Sequence, residues 1–554
     1  MPTDGEIAQQ VQPKPIGQIA DQLGIAHDDL LPYGRDMAKV HTNALLRSNS
    51  KQGRLVLVSA TTPTPAGEGK TTTTIGLGQA FARLGKSVCL ALREPSLGPC
   101  LGMKGGATGG GHSQILPADR INLHFTGDFH AITSANNLLS AVIDNHIYHG
   151  NELNIDPRRI LWRRVVDMND RSLRHIVLGL GGKLQGIPRE GGFDITAASE
   201  VMAMLCLASD LDDFRRRLEQ TLVAFTYSGE PVFAGQLQVT GAMLALLRDA
   251  VHPNLVQTLE GVPTLVHGGP FANIAHGCNS LLATRMAQHH ADWVITEAGF
   301  GFDLGAEKFF DIKCRIGNLE PQAVVLVTTT RALKLHGGQA KEKLGDKNLT
   351  ALRRGLENLD KHIENVRKFN MQAVVALNRF SGDNAAELAL VKARCQELES
   401  PFALCDHYAG GGEGALELAE QVIKIANQGQ PSCPLYSLDL SVEDKVRIVC
   451  REMYGADDVA FTKQAARDLL QVQKLGFDRL PICIAKAPGS LSDDPNLLGR
   501  PRHFDITVRA IQINSGAGFL VVLTGDILRM PGLPKRPSAE RWELHEEGSI
   551  LGLS

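Results

Sequence analysis

The stretch Arg54-Leu55-Val56-Leu57-Val58-Ser59-Ala60-Thr61-Thr62-Pro63-Thr64-Pro65-Ala66-Gly67-Glu68-Gly69-Lys70-Thr71-Thr72 sets the reading of this chain. Leu55 to Ser59 is an apolar, β-branched run of buried-strand type, and a helix-compatible pattern follows the glycines to about Leu84. Strand, glycine-bearing loop and helix in that order form the setting of a phosphate loop. Gly67 and Gly69 allow backbone N–H groups to converge on phosphate oxygens at a helix N-terminus, where aligned peptide dipoles favour negative charge. Lys70 then reaches the β- and γ-phosphates, and the Thr71 hydroxyl ligates Mg²⁺. The nucleotide-binding set is therefore Thr64, Pro65, Ala66, Gly67, Glu68, Gly69, Lys70, Thr71 and Thr72. Thr64 stands where the common G-x-x-x-x-G-K-[ST] pattern has its first glycine. A Gly-Pro turn opening an ordinary helix is the plainer alternative, disfavoured by the Gly69-Lys70-Thr71 triplet and its flanking elements.

Working outward, strand-like runs recur between helical patterns at Ser87 to Leu92, Trp293 to Thr296, Ala323 to Thr329 and Ala373 to Leu377. The alternation predicts an α/β fold: a phosphate-loop, P-loop NTPase-like parallel sheet flanked by helices, with further smaller α/β domains. Several runs end in polar groups, Arg93-Glu94, Glu297 and Asn378-Arg379, and open α/β sheets bind ligands at such carboxyl ends. The 554 residues suggest about three or four domains. We place them at 1–340 for the nucleotide, 341–430 contributing to the site, and 431–554, with breaks around Gly337 to Asn348 and Gln428 to Ser432. The glycine- and proline-rich tail from Met530 to Pro534 is expected to lie irregularly over its domain.

Composition removes other classes. Against 60 acidic residues there are 57 Lys and Arg, a net charge of −3, so no polybasic nucleic-acid surface is expected. Ten scattered cysteines without a CxxC pair read as free thiols in a reducing cytoplasm, without a zinc site. No leader-like N-terminus or membrane-length apolar run is visible, so a cytoplasmic, soluble protein without a membrane partner is expected.

After the second strand come Arg93 and Glu94, then Lys104-Gly105-Gly106-Ala107-Thr108-Gly109-Gly110-Gly111. A cation beside a glycine-rich turn is a second anion-binding arrangement, and Arg93 can grip a small carboxylate through two parallel N–H donors. In a doubly wound sheet the second strand is expected to end beside the first, which would set Arg93 next to the phosphate loop. His112, His124 and His130 fit no zinc spacing and read as hydrogen-bonding groups. Asp128 reads as a polar contact to substrate or cation.

The runs Thr62 to Thr73 and Asn122-Leu123-His124-Phe125-Thr126-Gly127-Asp128 resemble signatures of the formate–tetrahydrofolate ligase family. So do His267 to Ser280, Thr296-Glu297-Ala298-Gly299-Phe300-Gly301 and Ser490 to Pro495. The phosphate-loop variant is also similar to that of dethiobiotin synthetase, which phosphorylates a carboxylate-type group. The family resemblance implies ATP-dependent ligation of formate to tetrahydrofolate through formyl phosphate, with Lys70, Arg93 and Glu94 catalytic. It also implies folate or formate contacts from Arg93, Lys104, Asp128, Phe300, Phe380 and Tyr408, activation by a monovalent cation (K⁺ or NH₄⁺), and a homotetramer. Three departures stand out: Tyr408 where tryptophan is usual, Phe302 where alanine is usual, and Ala487-Pro488-Gly489 in a loop that relatives fill with larger polar residues. A phosphate-loop ATPase switch remains the competing class, distinguished by ATP hydrolysis without formate.

Overall fold

The computed structural model describes residues 3–47, 52–65, 67–104, 107–525, 527–545 and 550–552. Its centre is a twelve-stranded sheet. In chain order the strands are β1 (Leu30–Pro32), β2 (Ala38–Val40), β3 (Arg54–Ala60), β4 (Val88–Leu92), β5 (Gly109–Gly110), β6 (Ser113–Leu116), β7 (Asn254–Thr258), β8 (Pro263–Val266), β9 (Trp293–Glu297), β10 (Pro321–Thr328), β11 (Ala373–Asn378) and β12 (Phe402–Cys405). Across the sheet they run β1-β2-β7-β8-β4-β9-β3-β10-β11-β12, with β6 pairing β7 and β5. From β8 to β12 every neighbouring pair is parallel, and the antiparallel pairs lie at the β1–β2–β7 end.

The five strand runs read from sequence all fall within this sheet. The central strands are hydrophobic on both faces because both faces are covered. Leu55 and Leu57 enter one core while Val56 and Val58 enter the opposite one, all four fully buried. Such side chains each contribute about 1.5–3 kcal/mol when withdrawn from water. Helix α1 (Lys70–Arg83) covers the Val56 face through Ile75, Leu77 and Phe81. Its Gly78 is required by packing, since a Cβ there would stand 2.4 Å from Leu90 Cδ2 of β4.

One expectation fails. The second strand does not end beside the first, because β9 lies between β3 and β4 and pairs in parallel with both. Local hydrophobic patterning identifies strands but carries no information about which strand arrives to fill a gap. The result favours the site, since the end of β9 now stands between the two motifs.

Helix α2 (Asp128–Tyr148) leads into an inserted segment that includes an antiparallel arm of Ile176–Leu178 and Arg189–Gly191. The C-terminal module holds a three-stranded sheet of Ile482–Ala485, Phe519–Leu523 and Ala510–Asn514, and a parallel pair of Asp458–Phe461 with Asp505–Val508. The Met530 to Pro534 tail forms no helix or strand and lies on the inserted segment, where Arg174 Nε donates to the Met530 carbonyl at 2.9 Å. No helix among the described residues is long and apolar enough to cross a membrane. No disulfide joins the cysteines among the described residues, and of these cysteines Cys433 alone is exposed.

Candidate active site

The glycine loop follows β3, and α1 begins at Lys70. Gly67 and Gly69 have φ of 79° and 74°, the left-handed region that a side-chain-bearing residue enters at a cost. The loop is held from behind by neighbouring strand ends. Asn378, last residue of β11, donates from Nδ2 to the Glu68 carbonyl and to Thr73 Oγ1, both at 3.0 Å. The buried Glu68 carboxylate turns inward, accepting from the Thr64 N–H at 2.8 Å and from the Thr329 hydroxyl at 3.1 Å. Glu68 thus shapes the loop from within. Ala66, Gly105 and Gly106 and the Lys104 side chain lie outside the described residues.

Glu297, at the end of β9, joins the two motifs. Its Oε2 accepts from Thr71 Oγ1 at 2.8 Å, and its Oε1 lies 3.6 Å from Arg93 Nη2. The carboxylate is buried, whereas Arg93 is about a quarter exposed. No described residue accepts a hydrogen bond from the Arg93 guanidinium, and its buried Nε has no hydrogen-bond partner. The side chain is therefore charge-paired yet retains its fork of donors, the arrangement suited to gripping a carboxylate. Gly299 makes room for it, because a Cβ there would lie 3.0 Å from Arg93 Nη1 and 2.4 Å from Ala272 Cβ. Glu297 was visible in the sequence only as a polar strand end, and its two partners come from residues far away in the chain.

Behind Arg93, Glu94 and Asp128 form a buried acidic wall. Asp128 accepts from Lys39 Nζ at 2.7 Å and from Asn254 Nδ2 at 2.8 Å, and both Lys39 and Asp128 are essentially inaccessible. Lys39 completes its shell with the His252 carbonyl at 3.0 Å and Asn254 Oδ1 at 2.9 Å. Burial pushes the Glu94 carboxyl well above the usual carboxylate range and the neighbouring Asp128 charge adds to the rise, with Lys39 opposing it. Glu94 Oε2 is buried without a hydrogen-bond partner.

The three aromatics sit beyond the carboxyl ends of three strands. Phe380 follows β11 and Tyr408 follows the adjacent β12, while Phe300 follows β9 on the other side of β3. Phe380 is 38% exposed, with the Arg331 guanidinium 4.1 Å from its ring centre. Tyr408 is 48% exposed and its hydroxyl donates to Asp4 Oδ1 at 2.9 Å. Phe300 has φ of 56°, a strained value for an aromatic residue and of the kind concentrated at functional sites. Phe302, by contrast, is fully buried against Phe310 and Phe369, so its bulk belongs to the core.

Mg²⁺ usually takes one or two protein oxygens and completes its shell with water and phosphate. The Thr71 hydroxyl and Glu297 carboxylate at the loop mouth fit that demand. A cavity of about 380 Å³ lined by Trp162, Arg163, Glu200 and Arg529, between the inserted segment and the C-terminal module, contains none of these residues. A model of the formate–tetrahydrofolate ligase family matches residues 2–554.

Proposed function

The chain belongs to the formate–tetrahydrofolate ligase family, enzymes of one-carbon metabolism that join formate to tetrahydrofolate using ATP, and from that premise we propose how its residues divide the work. The loop from Thr64 to Thr72 is a P-loop NTPase-like cradle for the ATP phosphates, with Lys70 at the β- and γ-phosphates. Thr71, backed by Glu297, would hold Mg²⁺, which when bound offsets the charge of the phosphates. Arg93 orients formate so that a carboxylate oxygen attacks the γ-phosphorus. The new P–O bond forms as the β–γ bridge breaks, giving formyl phosphate and ADP.

N10 of tetrahydrofolate then attacks the formyl carbon, the C–O bond to phosphate breaks, and the N10 proton leaves to give 10-formyltetrahydrofolate. Phe380 and Tyr408, on adjacent strand ends, would flank the pterin, with Phe300 closing the inner side. Offset stacking of this kind adds about 0.5–1.5 kcal/mol per pair beyond burial. Lys104 and Asp128 complete the folate and formate set, Asp128 by supporting Glu94 from behind. Activation by a monovalent cation, K⁺ or NH₄⁺, is carried over from the family resemblance. Exposed Val177, Leu180, Leu184 and Ile187 on the arm support self-association, since water-facing aliphatic clusters are removed by it, and the family resemblance sets the expected assembly at a homotetramer.

The observation that carries the reading is the single carboxylate of Glu297 meeting Thr71 on one side and Arg93 on the other. The test is 10-formyltetrahydrofolate and ADP formation with formate, ATP or tetrahydrofolate omitted in turn. The expected result is product only with all three. Full-rate ATP hydrolysis without formate would refute this division of labour.

A further inference from the structure

The C-terminal module reaches the phosphate loop through Lys486, a residue not used by the chemistry above. Its side chain is fully buried. The ammonium stands 2.9 Å from Asp303 Oδ2, itself buried, and 4.8 Å from the centre of the Tyr454 ring. It also donates to the Ala487 carbonyl at 3.2 Å and to the Ser490 carbonyl, so it gathers its own loop around itself. Asp303 Oδ1 has no hydrogen-bond partner among the described residues, and the Lys486 ammonium against Oδ2 is the near charge that compensates the carboxylate.

Asp303 lies directly under the turn that carries Phe300. A Cβ on Gly301 would stand 2.5 Å from Asp303 Oδ1 and 3.3 Å from the Thr61 carbonyl, so carboxylate, turn and phosphate-loop root are in contact. On the other side, the loop held by Lys486 faces the same root, and a Cβ on Gly489 would lie 3.9 Å from the Pro63 carbonyl. A second fastening repeats the pattern. Asn358 Nδ2 donates both to Thr62 Oγ1 at 2.9 Å and to the Gly499 carbonyl at 2.8 Å. The two nitrogens of His336 likewise serve the Thr62 carbonyl at 2.8 Å and the Gly499 N–H at 3.3 Å. Thr62 and the 486–499 loop are thus held to shared partners.

Resting on the ligase reading above, we propose that Lys486 is a positioning residue. Through Asp303 it sets the Phe300-Gly301 turn and the Ala487-Pro488-Gly489 loop against the root of the phosphate loop, and so keeps the nucleotide end of the site in register with the pterin end. A registered, closed site hands the formyl group to N10 before water takes it. The departure at Ala487-Pro488-Gly489 fits the role, because small residues let that loop lie close to Pro63.

The test is the ratio of ADP to 10-formyltetrahydrofolate in Lys486→Met, and in the charge-neutral pair Asp303→Asn with Lys486→Met. A purely structural loss lowers both products together and leaves the ratio at one. The expected result is a ratio about threefold or more above one, with a folate KM raised about tenfold, because misplacement of roughly 1 Å has effects of that size or larger. A ratio that stays at one in either variant, when it unfolds with parental cooperativity, overturns the proposal. Hydrogen exchange on the unaltered enzyme decides the case if neither variant folds. Peptides spanning 487–499 are expected to gain protection on adding ATP together with those spanning 61–71, and a 487–499 segment indifferent to ATP overturns the coupling. If the parent makes no folate-dependent product, the ligase reading fails whatever Lys486 does.

Discussion

Replacing Glu297 with Gln keeps the shape of the bridging side chain and removes its charge. At the 3.6 Å separation between Arg93 and Glu297, and an effective dielectric of about 20, the lost attraction is about 5 kcal/mol. Water reaching the quarter-exposed guanidinium recovers part of this, and about half is a fair discount for an arginine with that access. A net loss of about 2–3 kcal/mol in holding Arg93 corresponds to about a 30- to 150-fold fall in kcat/KM for formate. The Gln amide still accepts from Thr71, but a carboxylate is lost beside the proposed Mg²⁺ position, so the KM for ATP is expected to rise as well. The assay is initial-rate ADP formation against formate concentration at saturating ATP and tetrahydrofolate, with thermal unfolding as the check on folding. A formate kcat/KM within threefold of the parent in a folded Glu297→Gln enzyme would show that the carboxylate does not organise Arg93.

Other outcomes follow from the same geometry. Lys70→Ala is expected to abolish ATP-dependent formylation with unfolding behaviour unchanged, as measured by product absorbance and calorimetry; near-normal turnover contradicts the phosphate role. Phe380→Ala and Tyr408→Ala should raise the folate KM and leave that of ATP in place, and the reverse pattern would remove both from the pterin site. Glu200 gives a pH test of stability. Burial raises its carboxyl from 4.5 to about 7, despite N–H donors from Ala517 and Gly516. Between those values the unfolded chain has released the proton while the folded chain still holds it, so stability falls as pH rises, by about 3 kcal/mol in all. In Glu200→Gln that decline is absent, and the variant's Tm relative to the parent should climb between pH 5 and pH 8; a constant difference refutes the assignment.

The strand, glycine-bearing loop and helix at 54–83 were legible because their determinants are local: a β-branched run, two glycines at left-handed positions, and Lys70 at the first turn of a helix. The five strands were legible for the same reason, since both faces of each are buried. What patterning could not supply was adjacency. Glu297 and Asn378 were noticeable only as polar strand ends, and their partners Thr71, Arg93 and Thr73 lie far away in the chain. Asp128 read as a polar contact to substrate or cation, and its partners Lys39 and Asn254, 89 and 126 positions away, gave no local signal. Phe302 gave no sign of which way it pointed. Its place in the core depends on Phe310 and on Phe369 from a different helical segment.

The interposed β9 bears on how such an enzyme is made. As the polypeptide leaves the ribosome, β3 and β4 emerge close together, but the strand that belongs between them follows about two hundred residues later. Until then their inner edges have no mate, and joining across so long a separation is slow. A nascent chain that stops short of β9 carries the lysine and the arginine without the carboxylate that unites them. Catalytic competence is therefore a late event in biosynthesis, and no partial translation product ending before residue 293 should activate formate.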